Sequence, residues 1–143
     1  MVTASVASGR RSIVSTPTRR HVLVVASRTA ASEELREALL ARERRGPAEF
    51  TLLLPAPPQA GEAGTLLREA VERLRACGLD VAGMVGDADP CAAVAEVWDP
   101  REFDEVLLVT LAPGRSHWLA CGLPERIRQL CGAPVTALVA APA

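Results

Sequence analysis

At 143 residues, 49% hydrophobic and 23% charged, the chain has apolar material for one sizeable core and too much of it to be disordered throughout. Arginine supplies all 16 basic charges against 17 acids, a formal net charge of -1 that favours no polyanionic partner, and 3% aromatics leave little from which to build a base-stacking surface. Apolar runs such as Val106 to Leu111 stop well short of the roughly 20 residues a spanning helix needs, so neither a membrane nor nucleic acid is expected as a partner.

Residues 1–20 carry Arg10, Arg11, Arg19 and Arg20, no acid and no sustained apolar period, which reads as a disordered basic extension. The domain proper is then residues 21–143, with 12 arginines against all 17 acids, and is mildly acidic. His21 to Ala26 is a short β-branched run suited to a strand buried on both faces. Ser32 then caps a helix with acids in its first turn and Arg42, Arg44 and Arg45 in its last, before Gly46-Pro47 stops it. Glu49 to Leu54 gives a second strand, closed by Pro55, Pro57 and Pro58.

From Gly64 to Cys77, apolar residues at 66, 67, 70, 71, 74 and 77 form one face of an amphipathic helix that Gly78 ends. Asp80 to Val85 is a third strand. Asp89 before Pro90 caps a helix running through about Trp98, which Asp99-Pro100 terminates. Asp104 to Leu111 is the strongest apolar strand, Ala112 to His117 a loop, Leu123 to Leu130 a helix with Pro124 in its first turn, and Pro134 to Ala140 the last strand. Strands alternating with helices imply right-handed crossovers between parallel neighbours. The fold class is therefore α/β: a three-layer, doubly wound parallel sheet of five strands in the order 3-2-1-4-5.

In such sheets a ligand binds beyond the carboxyl ends of the strands where their order reverses, here between the first and fourth. Two loops then matter, Ser27 to Ala31 and Leu111 to Trp118. In the second, Gly114 lets the backbone approach a ligand while Arg115, Ser116 and His117 add a cation, a hydroxyl and an imidazole for a phosphate or carboxylate; Pro113-Gly114 is equally a plain turn signal.

This layout resembles the universal stress protein superfamily. The likeness rests on the apolar first strand, the turn Val85-Gly86-Asp87-Ala88-Asp89-Pro90 and the region Val109 to Val139. The resemblance implies site residues Ala26, Ser27 and Arg28 after the first strand, Thr110, Leu111, Gly114, Arg115, Ser116 and His117 after the fourth, and Gly122. The family's ATP-binding branch closes its first strand with aspartate and follows the fourth with a glycine-rich loop ending in Gly-Ser or Gly-Thr. Here Ser27 stands in place of the aspartate and Leu111 in place of the first glycine. Gly114 matches the second, and Pro124-Glu125, or on a shorter loop Cys121-Gly122, stands where Gly-Ser would be. Such a loop has too few glycines to wrap a triphosphate closely. The resemblance also implies a homodimer paired through the last strand, Val135 to Val139.

No G-x-S-x-G elbow, P-loop or G-x-G-x-x-G fingerprint occurs, so no enzyme class gains support. A nucleophile and base made of Cys121 and His117 would lack an orienting carboxylate nearby in sequence. Asp87 and Asp89 read as capping residues rather than cation ligands, and Trp118 as packing with Leu123 and Ile127. Cys77, Cys91, Cys121 and Cys131 form no C-x-x-C pair, so a metal is not expected, and they read as free thiols buried as small hydrophobes in a reducing cytoplasm. The expectation is a cytoplasmic, homodimeric regulatory or binding module without turnover and without a cofactor. The alternatives are a binder of ATP or another adenine nucleotide with slow hydrolysis, and a flavodoxin-like carrier, for which Trp118 is the one aromatic near the cleft.

Overall fold

The computed structural model describes residues 19–56, 61–111 and 117–140. In chain order the elements are β1 (Arg20–Val25), α1 (Glu33–Arg45), β2 (Ala48–Pro55), α2 (Gly61–Ala76), β3 (Val81–Gly86), α3 (Pro90–Val97), β4 (Glu105–Thr110), α4 (His117–Ala120), α5 (Leu123–Cys131) and β5 (Val135–Val139). One sheet runs β3-β2-β1-β4-β5 with every neighbouring pair parallel, the doubly wound order that the alternation of elements predicts. Apart from Arg19 and Arg20, the expected basic extension lies outside the described residues.

The twofold alternation of a strand sorts the core into two layers. Val22, Val24, Phe50, Leu52, Leu54, Leu107 and Val109 pack beneath Leu35 and Leu39 of α1 and Leu67, Val71 and Leu74 of α2. Leu23, Val25, Leu53, Val106 and Leu108 face the other way, onto Ala93 and Val94 of α3 and Leu123 and Ile127 of α5. Each such Leu or Ile contributes about 1.5–3 kcal/mol by leaving water. Trp118 joins the second layer as a packing residue.

Local chemistry sets the helix starts. The Ser32 hydroxyl accepts from the Leu35 amide at 3.2 Å, and the Asp89 carboxylate accepts from the Cys91 amide at 3.2 Å with Pro90 in the first turn. Asp87 in turn accepts from the Asp89 amide at 2.9 Å, so both carboxylates act on backbone. Helix α2 begins at Gly61, three residues before the expected start, because burying Ala63 and Leu67 outweighs the poor propensity of Gly61 and Gly64, which lie in open space. The α4 turn falls where the sequence signals no helix.

The thiols depart from expectation. Cys91 and Cys131 pack against the second core layer, but Cys77 and Cys121 are exposed. Cys77 lies one residue past the end of α2, in the turn that left-handed Gly78 (φ 90°) completes before Leu79 returns to the core. Burial pushes the Cys131 thiol up to about 11, with the Cys91 thiol adding to the shift; Cys91 is also raised by burial, against a downward pull from Arg126.

Charge gathers at the foot of the sheet, the amino ends of the strands. Glu105 is 3% exposed and accepts two hydrogen bonds from the Arg42 guanidinium, at 2.6 and 2.8 Å, and one from Arg20 Nε at 2.6 Å. The hydrogen bond to Glu105, then its charge, raises the Arg20 pKa. Beside it the His21 ring meets the Thr51 hydroxyl at 2.8 Å, and the Asp104 carboxylate accepts from the His21 amide at 2.8 Å. Arg19 reaches sideways to the Ala48 carbonyl at 2.8 Å and to Asp80 at 3.1 Å. No helix among the described residues is long and apolar enough to cross a membrane.

Candidate functional site

At the head of the sheet β1 lies between β2 and β4, and the connections after β1 and β4 leave toward opposite faces. Ala26, fully buried, extends the ladder by donating to the Leu53 carbonyl at 3.2 Å. Two tight turns follow: the Ser27 carbonyl accepts from Ala30 and the Thr29 carbonyl from Ser32, each at 3.0 Å, which delivers the chain to the capped start of α1. Ser27 is half-buried and Arg28 exposed.

Odd-numbered residues of β4 direct their backbone groups toward β1, since Val106 and Thr110 bond to the β5 side. By Val109 the β1 strand has ended, and the missing rung is supplied by a side chain: the buried Thr29 hydroxyl donates to the Val109 carbonyl at 3.2 Å. Ala30, 2% exposed, is carried down with it. The loop after β1 is thereby stitched onto β4, in the place where the crevice would open on that face.

Thr110 ends the row Val106–Leu108 on the other face, and Ser27 stands two residues beyond Val25, whose partner in the ladder is Leu108. The Thr110 backbone carbonyl accepts from Ala140 at 2.8 Å, but the Thr110 hydroxyl, on a residue only 2% exposed, has no hydrogen-bond partner among the described residues. An unpaired buried hydroxyl costs about 1–3 kcal/mol. Leu111 is half-buried. Gly122 caps α5 in the left-handed region at φ 72°, and its amide donates to the Leu119 carbonyl at 3.2 Å. The Cys121 thiol faces the Trp118 carbonyl at 3.4 Å.

Of the residues singled out in the sequence, Ala26, Ser27, Thr110 and Leu111 come together at the ends of β1 and β4. Arg28 turns outward and Gly122 belongs to the turn before α5. Gly114, Arg115, Ser116 and the side chain of His117 lie outside the described residues. Sequence reasoning passed over Thr29 and the isolation of the Thr110 hydroxyl. One signal was available: Thr110 is the sole polar residue in Val106-Leu-Leu-Val-Thr-Leu111. The described part of the crevice offers hydroxyls and backbone groups, chemistry for orienting a neutral polar ligand. Among the described residues no three His, Cys, Asp or Glu side chains gather to hold a metal.

A parallel five-stranded sheet wound in both directions about β1 and β4 places the chain among the doubly wound α/β proteins that use this crevice. No protein-family model matches the chain, and no curated protein sequence does. Solved structures do. A universal stress protein crystallised in complex with cAMP superposes with a TM-score of 0.64 at 20% identity, over 86% of this chain and 98% of that one. A universal stress protein from Archaeoglobus fulgidus gives 0.54 at 16% identity, over 82% and 92%. The chain has the universal stress protein fold.

Proposed function

We propose that the chain is a regulatory or binding module of the universal stress protein fold, without turnover of its own, that pairs as a homodimer through β5 and holds no adenine nucleotide tightly. The observation that carries this reading is the bond from Thr29 to the Val109 carbonyl, which with buried Ala30 folds the loop after β1 down onto β4. Ser27 adds no charge where a carboxylate would orient a base, and the Gly122 amide is already bonded to Leu119.

A second reading has its own support. The unpartnered Thr110 hydroxyl beneath the crevice is the kind of group a ligand satisfies, and a protein of the same fold was crystallised with cAMP. Thermal unfolding with ATP, ADP, AMP and cAMP at millimolar concentration separates the two. The first reading expects the midpoint to stay within about 1 °C. A ligand at roughly 100 times its Kd would add about 2.7 kcal/mol, a rise of several degrees that overturns it.

The dimer has a separate test. Pro134 and Ala140 bond to β4, so the even-numbered residues of β5 serve the ladder and the odd-numbered ones face outward. Ala137→Pro therefore removes an edge donor without breaking the pairing to β4. Sedimentation should find a dimer before the change and a folded monomer after it; a monomer in both discards edge pairing.

A further inference from the structure

The opposite edge of the sheet poses a problem that β5 pairing does not solve. Strand β3 reads Val81-Ala-Gly-Met-Val-Gly86, with no charge and no proline, and Met84 and Val85 are 39% and 46% exposed. Phe50 bonds to the Asp80 carbonyl and Ala56 to that of Gly86, so the even-numbered residues serve β2 and the amides and carbonyls of Val81, Gly83 and Val85 point outward. Arg75 Nε caps the Val81 carbonyl at 2.7 Å. Nothing comparable blunts Gly83 and Val85 among the described residues. Beside them a groove of about 300 Å³ runs between the strand and α2, floored by Leu67 and Val71 and flanked by Arg68, Glu72 and Arg75. An open strand edge beside a helix is the arrangement that takes up an extended segment by strand addition.

We propose that the basic segment preceding Arg19 fills this place, lying along β3 as a sixth, antiparallel strand. Three observations select it. First, Arg19 already reaches across the foot of β2 to Asp80, the residue just before β3, and to the Ala48 carbonyl, so the chain is tied at the foot of that edge. Second, the length suffices. From β1 past β2 and β3 to a docked strand is about 15 Å, or roughly five extended residues, and the six residues of β3 need about six more, within the 18 that precede Arg19. This puts Ser8 to Ile13 against β3. Third, the segment carries Arg10 and Arg11 and no acid, whereas Asp80, Asp87 and Asp89 flank the strand. A second copy of β3 is the competing occupant. With β5 equally uncharged, two self-pairing edges on one chain would string copies into an open filament, whereas a strand from the same chain covers β3 and gives the new outer edge two arginines that discourage further pairing.

The test is amide hydrogen exchange at Gly83 and Val85 in the full chain, against a full-length variant carrying Arg10→Glu, Arg11→Glu and Ile13→Glu, all outside the described residues. The expected result is exchange at least about tenfold slower in the natural sequence, unchanged when the protein is diluted tenfold. Equal exchange in the two chains overturns the proposal, as does protection that survives the substitutions or fades on dilution, the mark of a second copy. Val85→Pro, which removes an outward amide and leaves the β2 ladder whole, gives a reciprocal readout. Trypsin should then cut faster at Arg10 and Arg11, and an unchanged rate counts equally against the docked strand.

Discussion

The foot and the head of this sheet are built on opposite terms. At the foot a nearly inaccessible carboxylate, Glu105, is met by three hydrogen bonds from two arginines, and His21, Thr51 and Asp104 are each engaged. At the head, where ligands of such folds bind, Arg28 turns outward into solvent, and of the two buried threonine hydroxyls one is spent on the backbone while the other has no partner among the described residues. Among the described residues, the charges that cement the structure thus lie away from the crevice, and the base depends on a few partners.

The sharpest way to break the contrast is Arg42→Ala. It leaves Glu105 buried with only the half-exposed Arg20 opposite, and removing one partner of such a pair costs about 3 kcal/mol. Urea unfolding should show the midpoint fall with the slope unchanged; a loss below about 1 kcal/mol would mean the foot is no stronger than a surface ion pair. At the head, the two threonines should move in opposite directions. Thr29→Val strips the rung from the Val109 carbonyl and should cost about 1.5 kcal/mol, whereas Thr110→Val replaces an unsatisfied hydroxyl with a methyl group and should gain about 1 kcal/mol. A loss at Thr110 would show that the hydroxyl finds a partner in solution.

The smallest effect concerns the thiols. Alkylation at pH 8 should modify exposed Cys77 and Cys121 well before Cys91 and Cys131. Because burial raises Cys131 from 9.0 to about 11, the unfolded chain ionises this thiol first. Its contribution is whole below pH 9 and is lost as pH climbs toward 11, so Cys131→Ala should flatten the alkaline fall in stability.

Strand order was legible because β-branched runs such as Val106 to Leu111 alternate with capped amphipathic stretches, and each rule acts over a few residues. Where the reading failed, the cause lay far along the chain or in competition between local rules. Arg42 reads as a helix-end cation and Glu105 as the polar start of a strand, yet they meet across an interval that no local pattern spans. Gly61 and Gly64 signal breakers but were overruled by the apolar face behind them. Cys77 continues the apolar spacing of α2, but the helix ends at Ala76 and the thiol falls in the turn beyond it, where that spacing no longer points at the sheet. Thr29 looked like a turn residue; its partner is an unpaired carbonyl that appears only once β1 has ended and β4 has not.

The central position of β1 governs how the protein can be made. Its first strand is flanked by β2 early in synthesis, but its other side waits for β4, which pairs Val22 with Glu105 near the far end of the chain. Until that stretch leaves the ribosome, the nascent polypeptide shows a bare apolar ribbon along Leu23 and Val25 that chaperones would bind and that stalled or shortened products would keep.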